Sequence, residues 1–266
     1  MDHFQFHSGD FQPQNRAFLH GDVVRVSFFV RDAKLIMAEE SYFFLMASMR
    51  KMRMNIPLTY TLEFFEQLLS AKVLSNGISE AVVTLHVYRG FGPALEKAEV
   101  SFFAEIKLGD VLQIRDAIEM DLVKEINVNT NLLSNIRVHC PENIYAEIYA
   151  RENDLDDVIL LNPNRRIARS IYGNLLFLQD NVIKIPKQSE GAYISPLMEN
   201  LVTFLHKKQL AEIQEVEMIA FESQKADEIL MLSDEKGIFP VRKIRNKTFD
   251  FERFSGFVEQ WRSSFA

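Results

Sequence analysis

The chain has 266 residues, 47% hydrophobic and 25% charged, with a formal net charge of −7, as expected of a globular protein of one large or two modest domains. This acidic balance argues against a nucleic-acid partner, which needs a clustered basic face. One cysteine, Cys140, excludes an intrachain disulfide and fits a reducing compartment. No basic segment followed by an apolar run starts the chain, and no apolar stretch approaches the ~18 residues of a membrane span. The reading is cytoplasmic, with no membrane contact.

In chain order, Val23 to Val30 and Leu35 to Met37 read as strands around the polar turn Arg31-Asp32-Ala33. Glu39 to Met54 reads as a helix whose apolar stripe is Tyr42, Leu45, Met46, Met49 and Met52, with Phe44 on the opposite side. Thr61 is placed to cap a second helix that runs to about Leu74 and stops at Asn76-Gly77. The alternating runs Ala81 to Tyr88 and Ala98 to Ile106 read as antiparallel strands. These elements predict an α+β N-terminal domain, 1–118.

Further on, Pro141 opens a helix through Asn153. Strands are predicted at Asp157 to Leu161, Ile167 to Ser170, Asn174 to Gln179 and Val182 to Ile185. Leu197 to Lys208 is helical. Ile213 to Ile219, Glu228 to Leu232 and Ile238 to Lys243 are strands, and Phe251 to Arg262 is a closing amphipathic helix. Mixed strands and helices predict an α/β barrel-like C-terminal domain, 119–266.

Several constellations invite chemistry and have plainer readings. His139-Cys140 suggests a thiol–imidazole pair, yet neighbouring side chains point apart, and Cys140 before a helix start reads as a small buried hydrophobe. His3, His7 and His20 with Asp10 and Asp22 match no standard metal-ligand spacing, so no metal is expected. Glu39-Glu40 suits a helix N-terminus, and the basic run from Arg242 to Lys247 reads as a solvated strand and turn.

Four segments carry a family resemblance. Asn15-Arg16-Ala17-Phe18-Leu19-His20-Gly21-Asp22 is similar to an N-R-G-F-L-Y-G-D opening, and Leu45 to Arg50 matches the helix after the second strand. Asp157 to Asn162 with Gly173-Asn174-Leu175-Leu176-Phe177 resembles "D-E-x-L-L-L-D … x-N-L-F". Ala226-Asp227-Glu228-Ile229 with Pro240-Val241 resembles "A-D-E-V … I-x-P-V". The chain thus resembles fold-type IV pyridoxal-phosphate (PLP) enzymes: branched-chain and D-amino acid aminotransferases and aminodeoxychorismate lyase. The resemblance implies the D-amino acid aminotransferase-like fold, a homodimer and a cleft between the domains.

Where that family works on its cofactor, this sequence departs from it. The Schiff-base lysine is implied near Ile136 or, after a one-residue slip, Arg137, but no lysine occurs between Lys124 and Lys184. Guanidinium stays protonated and cannot form an imine. The phosphate-binding arginine of the first helix is replaced by Phe44, which either faces the former pocket or simply packs. The glutamate that pairs with the pyridine nitrogen is replaced by Arg169, inverting the charge. In the phosphate cradle, Ile194-Ser195-Pro196-Leu197-Met198-Glu199 stands for L-P-G-I-T-R, and Leu232-Ser233-Asp234 stands for S-G-T. Losing three or four charge-assisted hydrogen bonds would cost roughly 5–10 kcal/mol of phosphate binding. His20 replaces a tyrosine that the family places near its substrate.

The expectation is a class IV aminotransferase-like protein without PLP binding or catalysis: no catalytic residue, no cofactor, and a small molecule or protein bound in the interdomain cleft. Phe44, Ile136, Arg137, Arg169, Leu197, Ser233 and Asp234 would be vestigial pocket positions. The alternative is an active PLP-dependent branched-chain/D-amino acid aminotransferase or 4-amino-4-deoxychorismate lyase, with its lysine at another position than the motif count gives or with an unusual amine.

Overall fold

The computed structural model describes residues 4–8, 14–90 and 98–265. It divides into two compact units: one runs to Val111 and takes in Ile136–His139, and the other comprises Leu112–Asn135 and Cys140–Ala266. The expected division at 118/119 falls at the first residue of a strand. Ile118–Leu122 pairs within the second unit, and Ile114 already bridges Ile238 there, so the chain changes units earlier.

The first unit is a five-stranded antiparallel sheet in the order β1-β5-β4-β2-β3. Its elements are β1 (Phe4–His7), α1 (Arg16–His20), β2 (Val23–Arg31), β3 (Lys34–Ile36), α2 (Ala38–Lys51), α3 (Leu62–Lys72), β4 (Ala81–Arg89) and β5 (Val100–Leu108). Strand β5 buries alternate residues, Val100, Phe102, Ala104 and Ile106, because the pleat sends successive side chains to opposite faces. Phe28 of β2 stacks on Phe65 of α3, with ring centroids 5.9 Å apart. Thr61 caps α3 by accepting from the Phe64 N–H, whereas the helix ends at Lys72 and a short 3-10 turn, Leu74–Asn76, leads into Gly77.

Helix α2 corrects the predicted stripe. Its buried face includes Ser41, Phe44, Leu45, Met46, Ser48 and Met49. Phe44 therefore belongs to that face, and exposed Phe43 points outward instead. The small serines Ser41 and Ser48 widen the buried arc, which an apolar count alone passes over.

The second unit is a nine-stranded mixed sheet in the order β11-β10-β9-β12-β13-β6-β7-β8, with β14 paired to β13. Its strands are β6 (Ile118–Leu122), β7 (Asp157–Leu161), β8 (Ile167–Ser170), β9 (Asn174–Gln179), β10 (Val182–Pro186), β11 (Glu212–Val216), β12 (Glu228–Ser233), β13 (Gly237–Ile244) and β14 (Lys247–Thr248). Helices α4 (Pro141–Glu152), α5 (Pro196–Lys207) and α6 (Arg253–Ser263) complete it. The tight turn from Ser170 to Gly173 brings β8 back alongside β9, so the sheet curls into a half-barrel. Ile159 and Leu161 of β7 join one core with Leu175, Phe177, Ile229 and Met231. Val158 and Leu160 join another with Ala146 and Ala150 of α4. Strands buried on both faces explain the near-continuous apolar runs.

The basic run is not purely solvated. Arg242 and Lys243 of β13 pair with Glu119 of β6, and Arg245 pairs with Asp121.

Buried Asp157, at the start of β7, accepts hydrogen bonds from the Val158 and Ile171 N–H groups. Desolvation nonetheless pushes its pKa up from 3.8 to about 6. The native state thus holds this proton more tightly than the unfolded chain, so the associated stability is greatest below pH 3.8 and is lost as pH rises through about 6. That difference corresponds to about 3 kcal/mol. Urea unfolding of wild type and Asp157→Asn at pH 4 and pH 7 is expected to show a double difference of that order, with the loss confined to wild type. Equal pH dependence in the two proteins would refute the assignment.

Candidate cofactor-like site in the second unit

The site grows from the segment between the 3-10 turn Gln188–Glu190 and α5. Ser195 is the N-cap of α5, with Pro196 preset at the first helical position. Its hydroxyl accepts from the Met198 N–H at 3.1 Å and donates to Asp234 Oδ1 at 2.7 Å. The Leu197 N–H also donates to Asp234 Oδ1, at 3.2 Å. Asp234 follows β12 and is buried, so its carboxylate sits on the positive end of α5. The preceding Ser233 turns inward on its own loop, its hydroxyl accepting from the N–H groups of Glu235 and Lys236.

Arg169 of β8 meets the same segment from the other side. Its guanidinium lies 4.2 Å from the centroid of the Tyr193 ring, a cation–π arrangement. Nη1 donates to the Ser170 carbonyl at 2.9 Å, and Nη2 reaches Cys140 Sγ at 3.5 Å. Tyr193 is fixed by Asn174, whose amide bonds both its backbone N–H and its carbonyl. Asn143 Nδ2 donates to the Tyr193 hydroxyl at 3.1 Å. Just beyond, the Ile194 N–H donates to the Asn135 carbonyl.

The structure therefore gathers Arg169, Leu197 and Asp234 around residues 193–197, with Ser233 adjoining. Phe44, Ile136, Arg137 and His20 belong to the first unit. Ile136 and Arg137 are buried there, with the Arg137 carbonyl accepting from the Arg25 N–H of β2. His20 is the exposed last residue of α1. Tyr193, Asn143 and Asn174 had no site role in the sequence reading. Ser195 and Pro196 entered the sequence reading only as part of the replaced phosphate cradle, and nothing local in the sequence pairs Tyr193 with Arg169.

The other constellations resolve as contacts. The His139 ring packs on Gly21, whereas the Cys140 thiol donates to Glu142 Oε2 at 3.1 Å. Burial pushes that thiol pKa up, against the lowering pull of Arg169. Asp22 is engaged by both Arg16 and Arg89. His3 and Asp10 lie outside the described residues. Among the described residues no group of three or more His, Cys, Asp or Glu is placed to hold a metal, and no helix is long and apolar enough to cross a membrane.

Residues 29–244 match the family Amino-transferase class IV. The branched-chain aminotransferase from Thermoproteus uzoniensis with norvaline is similar at a TM-score of 0.86 and 14% identity, over 97% of this chain and 93% of that one. A putative 4-amino-4-deoxychorismate lyase from Legionella pneumophila gives 0.84 and 16%, over 96% of each chain. An aminotransferase from Brucella abortus bound to PLP gives 0.84 and 11%, over 99% of each. No curated protein matches. This chain belongs to the class IV aminotransferase family.

Proposed function

We propose that this protein keeps the class IV architecture without PLP chemistry and serves as a small-molecule or protein binder. The observation that carries the reading is the Asp234 carboxylate on the α5 N-terminus. The family resemblance puts the cofactor phosphate there, and a phosphate dianion does not fit beside a buried carboxylate that already accepts the same N–H. Arg169 supports the reading from the ring side, because a fixed guanidinium opposes a protonated pyridine nitrogen. The sequence adds that no primary amine lies between residues 124 and 184. By family resemblance the protein works as a homodimer, and its single cysteine fits the cytoplasm.

One observation favours the second reading, an active aminotransferase or aminodeoxychorismate lyase. Lys236 follows Asp234 by two residues, and its ammonium rests 2.9 Å from the centroid of the Tyr172 ring. It is the lysine nearest in sequence to the Ser233–Asp234 turn.

Purified protein is expected to be colourless and to remain so after incubation with PLP and dialysis. A visible absorption band that hydroxylamine discharges would overturn the proposal. Borohydride reduction with peptide mapping would then show whether Lys236 carries the cofactor.

A further inference from the structure

Arg169 is 2% exposed, and the groups around it leave its charge unanswered. Ser170 supplies a neutral carbonyl, Tyr193 a ring face and Cys140 a sulfur whose own proton goes to Glu142. No carboxylate among the described residues forms an ion pair with it. The Nε atom is buried with no hydrogen-bond partner. Guanidinium cannot escape by losing its proton, and an uncompensated buried charge is strongly unfavourable.

Cys140, the N-cap of α4, makes no side-chain cap hydrogen bond, so the positive end of that helix is answered by Glu142 of its first turn and not by its N-cap. The Glu142 carboxylate accepts the Cys140 thiol proton through Oε2. With Tyr193 covering one face of the guanidinium, the donor without a partner is Nε on its edge, and each Nη has one of its two N–H groups engaged by Ser170 or Cys140. A planar two-oxygen anion meets that edge with two parallel hydrogen bonds.

We propose that Arg169, the Tyr193 ring and the Cys140 end of α4 form a binding site for a small carboxylate. The inference rests on the reading above, since it fills with an external anion a position that the family resemblance gives to the cofactor ring. It deepens that reading by naming a ligand class.

Cys140 is the sole cysteine and therefore reports on the site. The test measures its alkylation by iodoacetamide at fixed pH, with sodium acetate against sodium chloride at equal ionic strength. Acetate is expected to slow alkylation at least threefold, saturating in the millimolar range, because a bound carboxylate shields the thiol and neutralises the guanidinium. Arg169→Gln should abolish the acetate effect. Arg169→Lys, which keeps charge but not the two-donor edge, should move the saturation midpoint at least tenfold and serves if the glutamine variant fails to fold. Equal effects of acetate and chloride on wild type would overturn the inference, as would an undiminished acetate effect in either variant. Insensitivity to acetate in colourless protein sinks this inference alone; a hydroxylamine-sensitive band sinks the reading on which it rests.

Discussion

Glu228→Ala is expected to lower stability by about 3–5 kcal/mol, because a buried carboxylate serving three backbone donors is removed at once. Glu228 opens β12, and its Oε1 accepts from the N–H groups of Glu252 and Arg253 at 3.0 and 2.8 Å. Its Oε2 accepts from the Phe254 N–H at 2.8 Å. These are the first N–H groups of α6, which has no side-chain cap of its own. Helix α6 in turn buries Phe254, Phe257, Val258 and Trp261. Thermal unfolding followed by circular dichroism should show a Tm lower by roughly 2–4 °C per kcal/mol. Glu228→Gln keeps one acceptor and should lose about half as much. A drop below 1 kcal/mol in the alanine variant would show that α6 is held by packing alone.

Gly173→Ala should be as damaging, for a steric reason. A Cβ at Gly173 would lie 1.9 Å from the Leu232 carbonyl oxygen and 2.6 Å from its carbon. Those are backbone atoms of β12, which pairs with β9 directly after the turn, so they cannot swing aside. The turn is also tied on itself, with Ser170 Oγ and N–H bonding Gly173. A loss of about 3–5 kcal/mol is expected in urea unfolding. Gly256 of α6 is the control: nothing lies within 4 Å of its built Cβ, and alanine there should stabilise by about 0.5–1 kcal/mol. If both substitutions cost the same, the close approach of the turn to β12 is misplaced.

Much of this architecture was legible because burial writes a period into the chain. The bounds of β7, β8 and β9 coincide with the apolar runs that predicted them, since each strand lies between two covered faces. Strand β6 went unread although Ile118, Met120 and Leu122 alternate with Glu119 and Asp121; the acidic residues masked it, and their partners lie more than 120 residues away, on β13 and just after it. Helix α1 has only five residues, too few for a period, and shows itself only through Asn15 and Gly21 at its ends. At the site, Arg169 and Asp234 could be picked out by resemblance, and their opposite charges by reading them off. What each touches could not: the Arg169–Tyr193 contact spans 24 residues and the Asp234–Ser195 bond 39, and no local pattern encodes such pairings.

The chain leaves the first unit at Val111, returns for Ile136–His139 and leaves again. A gene fragment ending at Val111 would therefore lack a piece of its own fold. The Arg25 N–H would have no Arg137 carbonyl to meet, and Gly21 would be stripped of the His139 ring that covers it. Dissecting this protein into two autonomous halves at one junction is ruled out by its threading. A protease nick after residue 111 should leave two pieces that co-purify, held by that borrowed tetrapeptide.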